Sequence, residues 1–291
     1  GRRGGRGHVR LYPVPVMASR GRVSLVGAGP GDPGLMTVRA VELIAAADLI
    51  LYDRLIPPTA LAGARPEAEL TYVGKAPGKH QTPQEEINRM LVEAARAGRT
   101  VVRLKGGDPF LFGRGAEEAE ALRVAGIELE VVPGVTAAVA ASATAGIPLT
   151  HRDRASAVAF ATGHAAPDGT LARFPGTLVF YMGLSRLAAN AESLIAGGRP
   201  ADEPVAVISS GTTAGQRVAV GTLATIAARV EEAGLEPPAL TVVGEVVRYR
   251  ERLAWLERRP LFGRRVVVTR ARAQAGRLAG TLRGLGAEAI E

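Results

Sequence analysis

A chain of 291 residues is long enough for two domains, and its 47% hydrophobic but 4% aromatic composition requires cores of Ala, Val, Leu and Ile. The absence of cysteine excludes disulfides, thiolate metal sites and a cysteine nucleophile, and fits a reducing cytoplasm. The net charge of +8 resides in the two ends, because residues 23–247 carry 19 basic and 24 acidic side chains. This distribution argues against a nucleic-acid partner, and no apolar run approaches the ~20 residues of a membrane helix.

The first half alternates short apolar runs with amphipathic stretches, which predicts a mostly parallel sheet covered by helices. The expected strands are 23–27, 49–52, 69–73, 100–104 and 128–132. The expected helices are 37–46, 83–96 and 114–125. Thr82 and Glu85 have the spacing of a capping box, with Pro83 at the first helical position.

The second half repeats this alternation less regularly. Its expected strands are 157–162, 177–181, 204–209, 218–221 and 240–244, and its clearer helices are 187–196 and 223–233. The connection before 218–221 is too short for a crossover helix, so the second sheet is predicted to be mixed. The last residues predict one strand and one helix (274–285), which cannot bury an apolar face alone and resemble the opening of another domain.

These patterns predict five parts in chain order. They are a flexible basic leader (1–22), a first α/β domain (23–146), a second α/β domain (147–250), a linker (251–262) and the truncated start of a further domain (263–291).

The loop after the first strand, Gly27-Ala28-Gly29-Pro30-Gly31-Asp32, is similar to a dinucleotide fingerprint but departs from it. The third glycine of that fingerprint falls on Asp32, and Pro30 removes an N–H that a pyrophosphate would need. A loop of this composition is suited to form a rigid side of a binding site for a positively charged ligand. An ordinary structural turn explains the same residues equally well.

A second glycine loop, 105–115, follows the fourth strand and begins Lys-Gly-Gly-Asp. Ligands of open α/β sheets bind beyond the carboxyl ends of strands, and both glycine loops lie there. Only three of the 36 basic residues are lysines, and Lys75 ends a strand, where its ammonium group can donate a proton. Asp53 ends the second strand, and spacing alone fits an ion pair with Arg54 equally well.

Taken together, these stretches resemble the tetrapyrrole methylase family, in order from about residue 23 to residue 247. The stretch from Lys75 to Asn88 is most similar to members that methylate uroporphyrinogen III. The matching segments are 26–33, 52–55, 73–75 with Gly78 and His80, 83–88, 103–117, 133–137, 148–152, 181–183 and 241–244.

The resemblance implies two α/β domains with S-adenosylmethionine in the cleft between them, in a homodimer that needs no metal. It implies two C-methylations of uroporphyrinogen III, through precorrin-1 to precorrin-2, in siroheme or cobalamin biosynthesis. A sister methylase for a later corrin precursor and a non-catalytic tetrapyrrole-binding module remain alternatives. The implied cofactor contacts are Pro30, Gly106, Gly107, Asp108, Leu111, Thr136, Ala137, Met182 and Gly211.

The resemblance also assigns roles toward the substrate. Asp53 matches the proton acceptor, Lys75 the proton donor and Arg114 an arginine that faces the substrate. Lys79 and Arg152 are further candidate cations for its carboxylates. The residues beyond Leu261 resemble the start of uroporphyrinogen-III synthase, and with only about thirty of them we expect no synthase activity.

Overall fold

The apolar runs of the first half form one parallel sheet in the computed structural model, which describes residues 21–74, 82–269 and 272–290. The strands follow the order β3-β2-β4-β1-β5, and every neighbouring pair is parallel. The predicted fold class of this half is therefore confirmed. Its strands are Arg22–Gly27 (β1), Leu49–Tyr52 (β2), Glu69–Tyr72 (β3), Thr100–Lys105 (β4) and Glu128–Val132 (β5).

Helices cover both faces of this sheet. Side chains of β4 point alternately to the two faces, and each face packs in its own hydrophobic core. Val102 and Leu104 pack with one helix, and Val101 packs with the other two. The predicted capping box is wrong, because Pro83 occupies the N-cap and no side chain of the described residues caps that helix. The helices are Val38–Ala46 (α1), Gln84–Arg96 (α2) and Gly115–Val124 (α3).

The second sheet is mixed, as predicted, with the order β6-β7-β10-β8-β9. Only β6 and β7 are parallel, and the insertion of β10 between β7 and β8 was not predicted. Its strands are Val158–Thr162 (β6), Thr177–Tyr181 (β7), Pro204–Ser209 (β8), Arg217–Thr222 (β9) and Ala239–Val243 (β10). The remaining helices up to the linker are Ala137–Thr144 (α4), Gly169–Ala172 (α5), Leu187–Ala196 (α6), Ile226–Glu232 (α7) and Arg250–Leu253 (α8).

Helix α4 joins the two sheets. It follows β5 of the first sheet, yet Ala138 and Ala141 pack against Val179 and Ile208 of the second. Alanine side chains let the helix lie close to the strands, so its first turn stands where the two sheets meet. The predicted domain limits remain a prediction.

The C-terminal residues form the expected strand Arg265–Val267 (β11) and helix Arg272–Gly284 (α9), with an unpredicted strand Glu288–Ile290 (β12) parallel to β11. Within the described ranges, no helix has the length and apolar character needed to cross a membrane. Short 3-10 helices occupy Pro33–Leu35, Pro58–Leu61, Leu184–Arg186, Glu245–Tyr249 and Leu256–Arg258.

Candidate functional site

The loops after β1, β4 and β5 pack backbone against backbone at the carboxyl edge of the first sheet. Gly107 N donates to the Gly29 oxygen at 2.7 Å, and Ala28 N donates to the Lys105 oxygen at 2.8 Å. A Cβ atom on Gly134 would lie 2.0 Å from the Gly107 oxygen. Glycine is therefore required where these loops meet.

Asp108 fastens the β4 loop to the β5 loop. Its Oδ1 accepts a hydrogen bond from Phe110 N at 2.8 Å, and its Oδ2 accepts one from Gly134 N at 3.1 Å. Leu111 belongs to the same turn, with its N–H 3.4 Å from the Asp108 backbone oxygen. Each carboxylate oxygen keeps a second lone pair that can accept a hydrogen bond from a ligand. The predicted contact between Asp108 and the cofactor remains a prediction.

The start of α4 is bound to the end of β7 through Tyr181. The Tyr181 hydroxyl lies 2.6 Å from Thr136 Oγ1 and accepts a hydrogen bond from Ala138 N at 3.0 Å. A Cβ atom on Gly107 would lie 3.8 Å from Ala137 N, so the β4 loop reaches this turn as well. Burial raises the pKa of Tyr181 above its ordinary value.

Strained backbone marks the loops at the carboxyl ends of β7 and β8. Met182, Ser210 and Thr212 have φ angles of 54°, 50° and 71°, in the left-handed region that side chains other than glycine rarely adopt. Gly211 lies against α4, because a Cβ there would be 2.4 Å from Ala141 Cβ. Such strain concentrates at functional sites, where the surroundings compensate for it.

The first glycine loop reaches across to the second sheet. Asp32 N donates to Thr212 Oγ1 at 3.1 Å, and Asp32 Oδ1 accepts a hydrogen bond from Gly34 N at 2.8 Å. Pro30 lies in the loop that this contact holds. Contacts with α4 or with Thr212 therefore link the loops that carry Pro30, Gly107 and Gly211.

The surface beside these loops combines backbone polar groups with exposed apolar side chains. Phe110, Met182 and Phe112 are 54%, 45% and 41% exposed, and the Phe112 ring centroid is 5.0 Å from that of Tyr181. Apolar walls with a few polar groups suit a nucleoside without phosphates. A pyrophosphate would instead meet the carboxylate of Asp32 and a proline that lacks an N–H.

Asp53 follows β2 at the same sheet edge. Its Oδ1 accepts a hydrogen bond from Leu55 N at 3.2 Å, and its Oδ2 lies 3.5 Å from Arg103 Nη2. Its ion-pair partner is therefore Arg103, whereas the sequence alone also allowed Arg54. A Cβ on Gly106 would lie 2.8 Å from Leu55 Cβ, so this glycine lets the β4 loop approach Asp53.

Beneath Asp53 lies a buried charge cluster that sequence reasoning missed. Arg103 Nε and Lys105 Nζ donate to Glu118 Oε1 at 3.1 and 3.0 Å, and Gln84 Nε2 donates at 3.2 Å. Glu118 Oε2 is buried and has no partner in the part of the chain that the structure describes. Burial lowers the pKa of Lys105. The available signal was two cations two residues apart in an otherwise apolar strand, which places both on one face.

Arg114 stands at the rim of the β4 loop with a φ of 59°. It forms an ion pair with Glu117 at 2.6 Å, and this guanidinium lowers the pKa of that carboxyl. Lys75 and Lys79 lie outside the described residues. Arg152 precedes β6 and therefore lies at the opposite end of the second sheet from Tyr181, because β6 and β7 are parallel. Of the predicted site residues that the structure describes, Arg152 therefore does not lie with those at the carboxyl ends of the strands.

Relatives of the chain are found among bacterial biosynthetic enzymes. The chain is 53% identical over 247 residues to a siroheme synthase of Pseudomonas fluorescens, covering 83% of this chain and 53% of that protein. Siroheme synthase 2 of Aeromonas hydrophila is 54% identical over 241 residues, covering 81% and 51%. The chain thus spans about half the length of the curated relatives it matches.

Solved structures match over nearly their whole length. Uroporphyrin-III-C-methyltransferase of Thermus thermophilus superposes with a TM-score of 0.70 at 44% identity, covering 81% of this chain and 97% of that one. The form complexed with S-adenosyl homocysteine gives 0.68 at 44% identity, covering 78% and 99%. A family model described as Tetrapyrrole (Corrin/Porphyrin) Methylases matches residues 22–227. The chain therefore belongs to the tetrapyrrole methylase family.

Proposed function

We propose that this chain is an S-adenosylmethionine-dependent methyltransferase that methylates carbon atoms of uroporphyrinogen III twice, through precorrin-1 to precorrin-2. The observation that carries the proposal is the 44% identity to the Thermus thermophilus enzyme over 97% of that enzyme's chain. The siroheme synthase relatives favour siroheme biosynthesis as the setting.

The methyl donor is proposed to bind around the first turn of α4. S-adenosylmethionine supplies a methyl group on a positively charged sulfur. The backbone of the glycine loops would hold its polar groups, and the exposed apolar side chains would cover its adenosine. The proposed contacts are Pro30, Gly106, Gly107, Asp108, Leu111, Thr136, Ala137, Met182 and Gly211, with Tyr181 holding the start of α4 in place.

Asp53 is proposed to accept the proton that the methylated macrocycle must lose. Its side chain is partly exposed, and Leu55 N and Arg103 fix its orientation. Lys75 is proposed as the proton donor on the strength of the resemblance. Arg114 would bind a carboxylate of the substrate. To do so it would leave Glu117, with which it forms an exposed ion pair.

The proposal is tested by incubating the protein with labelled S-adenosylmethionine and uroporphyrinogen III under reducing conditions. We expect transfer of two methyl groups, read from the product's mass and absorption spectrum. Transfer to a later corrin precursor alone would instead assign a sister activity. Tetrapyrrole binding without transfer would assign a non-catalytic module.

Two finer statements belong to the same proposal. We expect a homodimer in the cytoplasm, as the family resemblance and the cysteine-free sequence favour. Analytical ultracentrifugation of the full chain would measure the oligomeric state, and a monomer at assay concentration would remove the dimer from the proposal.

A further inference from the structure

Gln216 lies between the cofactor loops and the segment that follows the second sheet, residues 245–258, here named the exit segment. Its side chain is buried, with 2% of the residue exposed. Its Oε1 accepts hydrogen bonds from Thr212 N at 2.9 Å and Thr144 Oγ1 at 2.7 Å. Its Nε2 donates to Glu257 Oε1 at 2.9 Å. A backbone N–H only donates and a carboxylate only accepts, so these partners fix the orientation of the amide.

Thr212 is the residue at which the loops of both sheets meet. Its φ of 71° is costly for a β-branched residue and persists only where neighbouring groups hold it. Its Oγ1 accepts the hydrogen bond from Asp32 N, and a Cβ on Gly31 would lie 3.1 Å from the same oxygen. Gln216 therefore holds the backbone of the residue that sets the distance between the Pro30 loop and the Gly211 loop.

The exit segment is itself fastened to the far end of α4. Glu257 Oε2 accepts a hydrogen bond from Arg250 Nη2 at 2.8 Å, and Arg250 Nη1 donates to the Ala145 oxygen at 2.7 Å. Trp255 Nε1 donates to the Ala143 oxygen at 3.0 Å. One segment thus contacts both Gln216 and the helix whose first turn lies in the candidate site.

We propose that Gln216 is a positioning residue for the methyl donor and that the exit segment, through Glu257, sets the affinity of the cofactor loops. The inference rests on the proposed function and deepens it. Glu257 lies beyond residue 227, where the match to the methylase family model ends. The inference therefore assigns a part in cofactor affinity to a residue outside that match.

The test measures binding of S-adenosylhomocysteine by calorimetry in four proteins: wild type, Gln216→Glu, Glu257→Gln and the double variant. Gln216→Glu places a carboxylate at a buried position, 2.9 Å from the partly exposed carboxylate of Glu257, so we expect at least about tenfold weaker binding. The double variant exchanges the acceptor and the donor, and we expect it to bind within about threefold of wild type. Glu251→Gln removes the same charge from an exposed side chain of the exit segment and serves as the control.

Rescue by the exchange shows that the contact between positions 216 and 257 sets the affinity, and the melting temperature of each variant separates this effect from a loss of stability. The Michaelis constant for S-adenosylmethionine should change with the dissociation constant, while that for the tetrapyrrole should not. If Gln216→Glu fails to fold, Glu257→Ala decides, since it leaves Gln216 Nε2 without an acceptor and should weaken binding at least about fivefold.

Two failures are distinguishable. Wild-type affinity in Gln216→Glu, or in Glu257→Ala where the first does not fold, overturns the positioning role and leaves the proposed function standing. Failure of the wild-type chain to bind S-adenosylhomocysteine overturns the proposed function and this inference together.

Discussion

Strand β2 is flanked by two aspartates that the fold uses in opposite ways. Asp48, at the amino edge of the first sheet, accepts hydrogen bonds from Thr100 N at 2.7 Å and Arg65 Nη2 at 2.5 Å. Asp53, at the carboxyl edge, has longer contacts of 3.2 and 3.5 Å. The carboxylate at the amino edge joins strands through short hydrogen bonds, and the carboxylate at the carboxyl edge is held by longer contacts.

The same contrast extends to what surrounds each aspartate. At the amino edge, neighbouring segments are joined by ordinary backbone hydrogen bonds. Glu69 N, for example, donates to the Asp48 backbone oxygen at 3.0 Å. The carboxyl edge instead holds the buried charges of Arg103, Lys105 and Glu118, and Glu118 Oε2 has no partner among the described residues. Asp53 therefore lies beside buried charges, and Asp48 lies beside backbone hydrogen bonds.

The largest effect that would sharpen this comparison is expected from Asp53→Asn. It should slow methyl transfer by about 10²–10⁴-fold, because an amide cannot accept the proton. Binding of S-adenosylhomocysteine should not change, since the carboxylate acts in the transition state. Single-turnover assays at saturating substrate measure the rate.

Asp48→Asn, the same substitution at the other end of β2, is the matched control and should keep the wild-type rate. A normal rate in Asp53→Asn would reduce Asp53 to a structural residue and remove the difference between the edges.

The next effect concerns the buried charges under the carboxyl edge. Glu118→Ala should lower the free energy of unfolding by about 3–5 kcal/mol, because it leaves Arg103 and Lys105 buried without their shared carboxylate. Urea denaturation measures the loss. Glu117→Ala removes the neighbouring exposed carboxylate and should change stability by less than about 1 kcal/mol. Equal stabilities of the two variants would mean that the cluster contributes nothing.

The sequence predicted that the carboxyl edge of the first sheet carries the candidate site, but it did not predict which residues contact each other there. The strands and most helices were predicted because alternating apolar runs and turn residues are local signals, and the glycine loops identified the carboxyl edge. The Arg103–Glu118 pair, the Tyr181 contact with α4 and the Gln216 contacts join residues far apart in sequence. Such pairings depend on the order of the strands, and the position of β10 between β7 and β8 was itself not predictable from spacing.

A smaller effect is expected from Gly134→Ala, which tests the close packing of the three loops. Its Cβ would lie 2.0 Å from the Gly107 oxygen, so the loops must separate, and we expect a loss of about 1–3 kcal/mol. S-adenosylhomocysteine binding should weaken as well. Gly63→Ala has no atom within 4 Å of the added Cβ and should leave the melting temperature unchanged or slightly raised. Equal melting temperatures would show that the loops tolerate separation.

The smallest effect tests the amino edge through the pH dependence of stability. The Thr100 N–H and the Arg65 guanidinium hold the pKa of Asp48 below its ordinary value. A carboxyl whose pKa is lower in the folded state stabilises the fold above its unfolded pKa of about 3.9, and this contribution disappears as the pH falls through the folded pKa. Asp48→Asn should therefore cost about 1 kcal/mol at pH 7, a modest value because the side chain is 39% exposed to screening solvent.

Urea denaturation of wild type and Asp48→Asn across the acid range measures the difference directly. The two stability curves should run parallel above pH ~5 and converge below pH ~4, because only the wild-type carboxyl loses its bonds on protonation. Asp202→Asn, an exposed aspartate of the second half, should follow wild type throughout. A constant difference at every pH would mean that the shape of the side chain, rather than its charge, joins the strands at this edge.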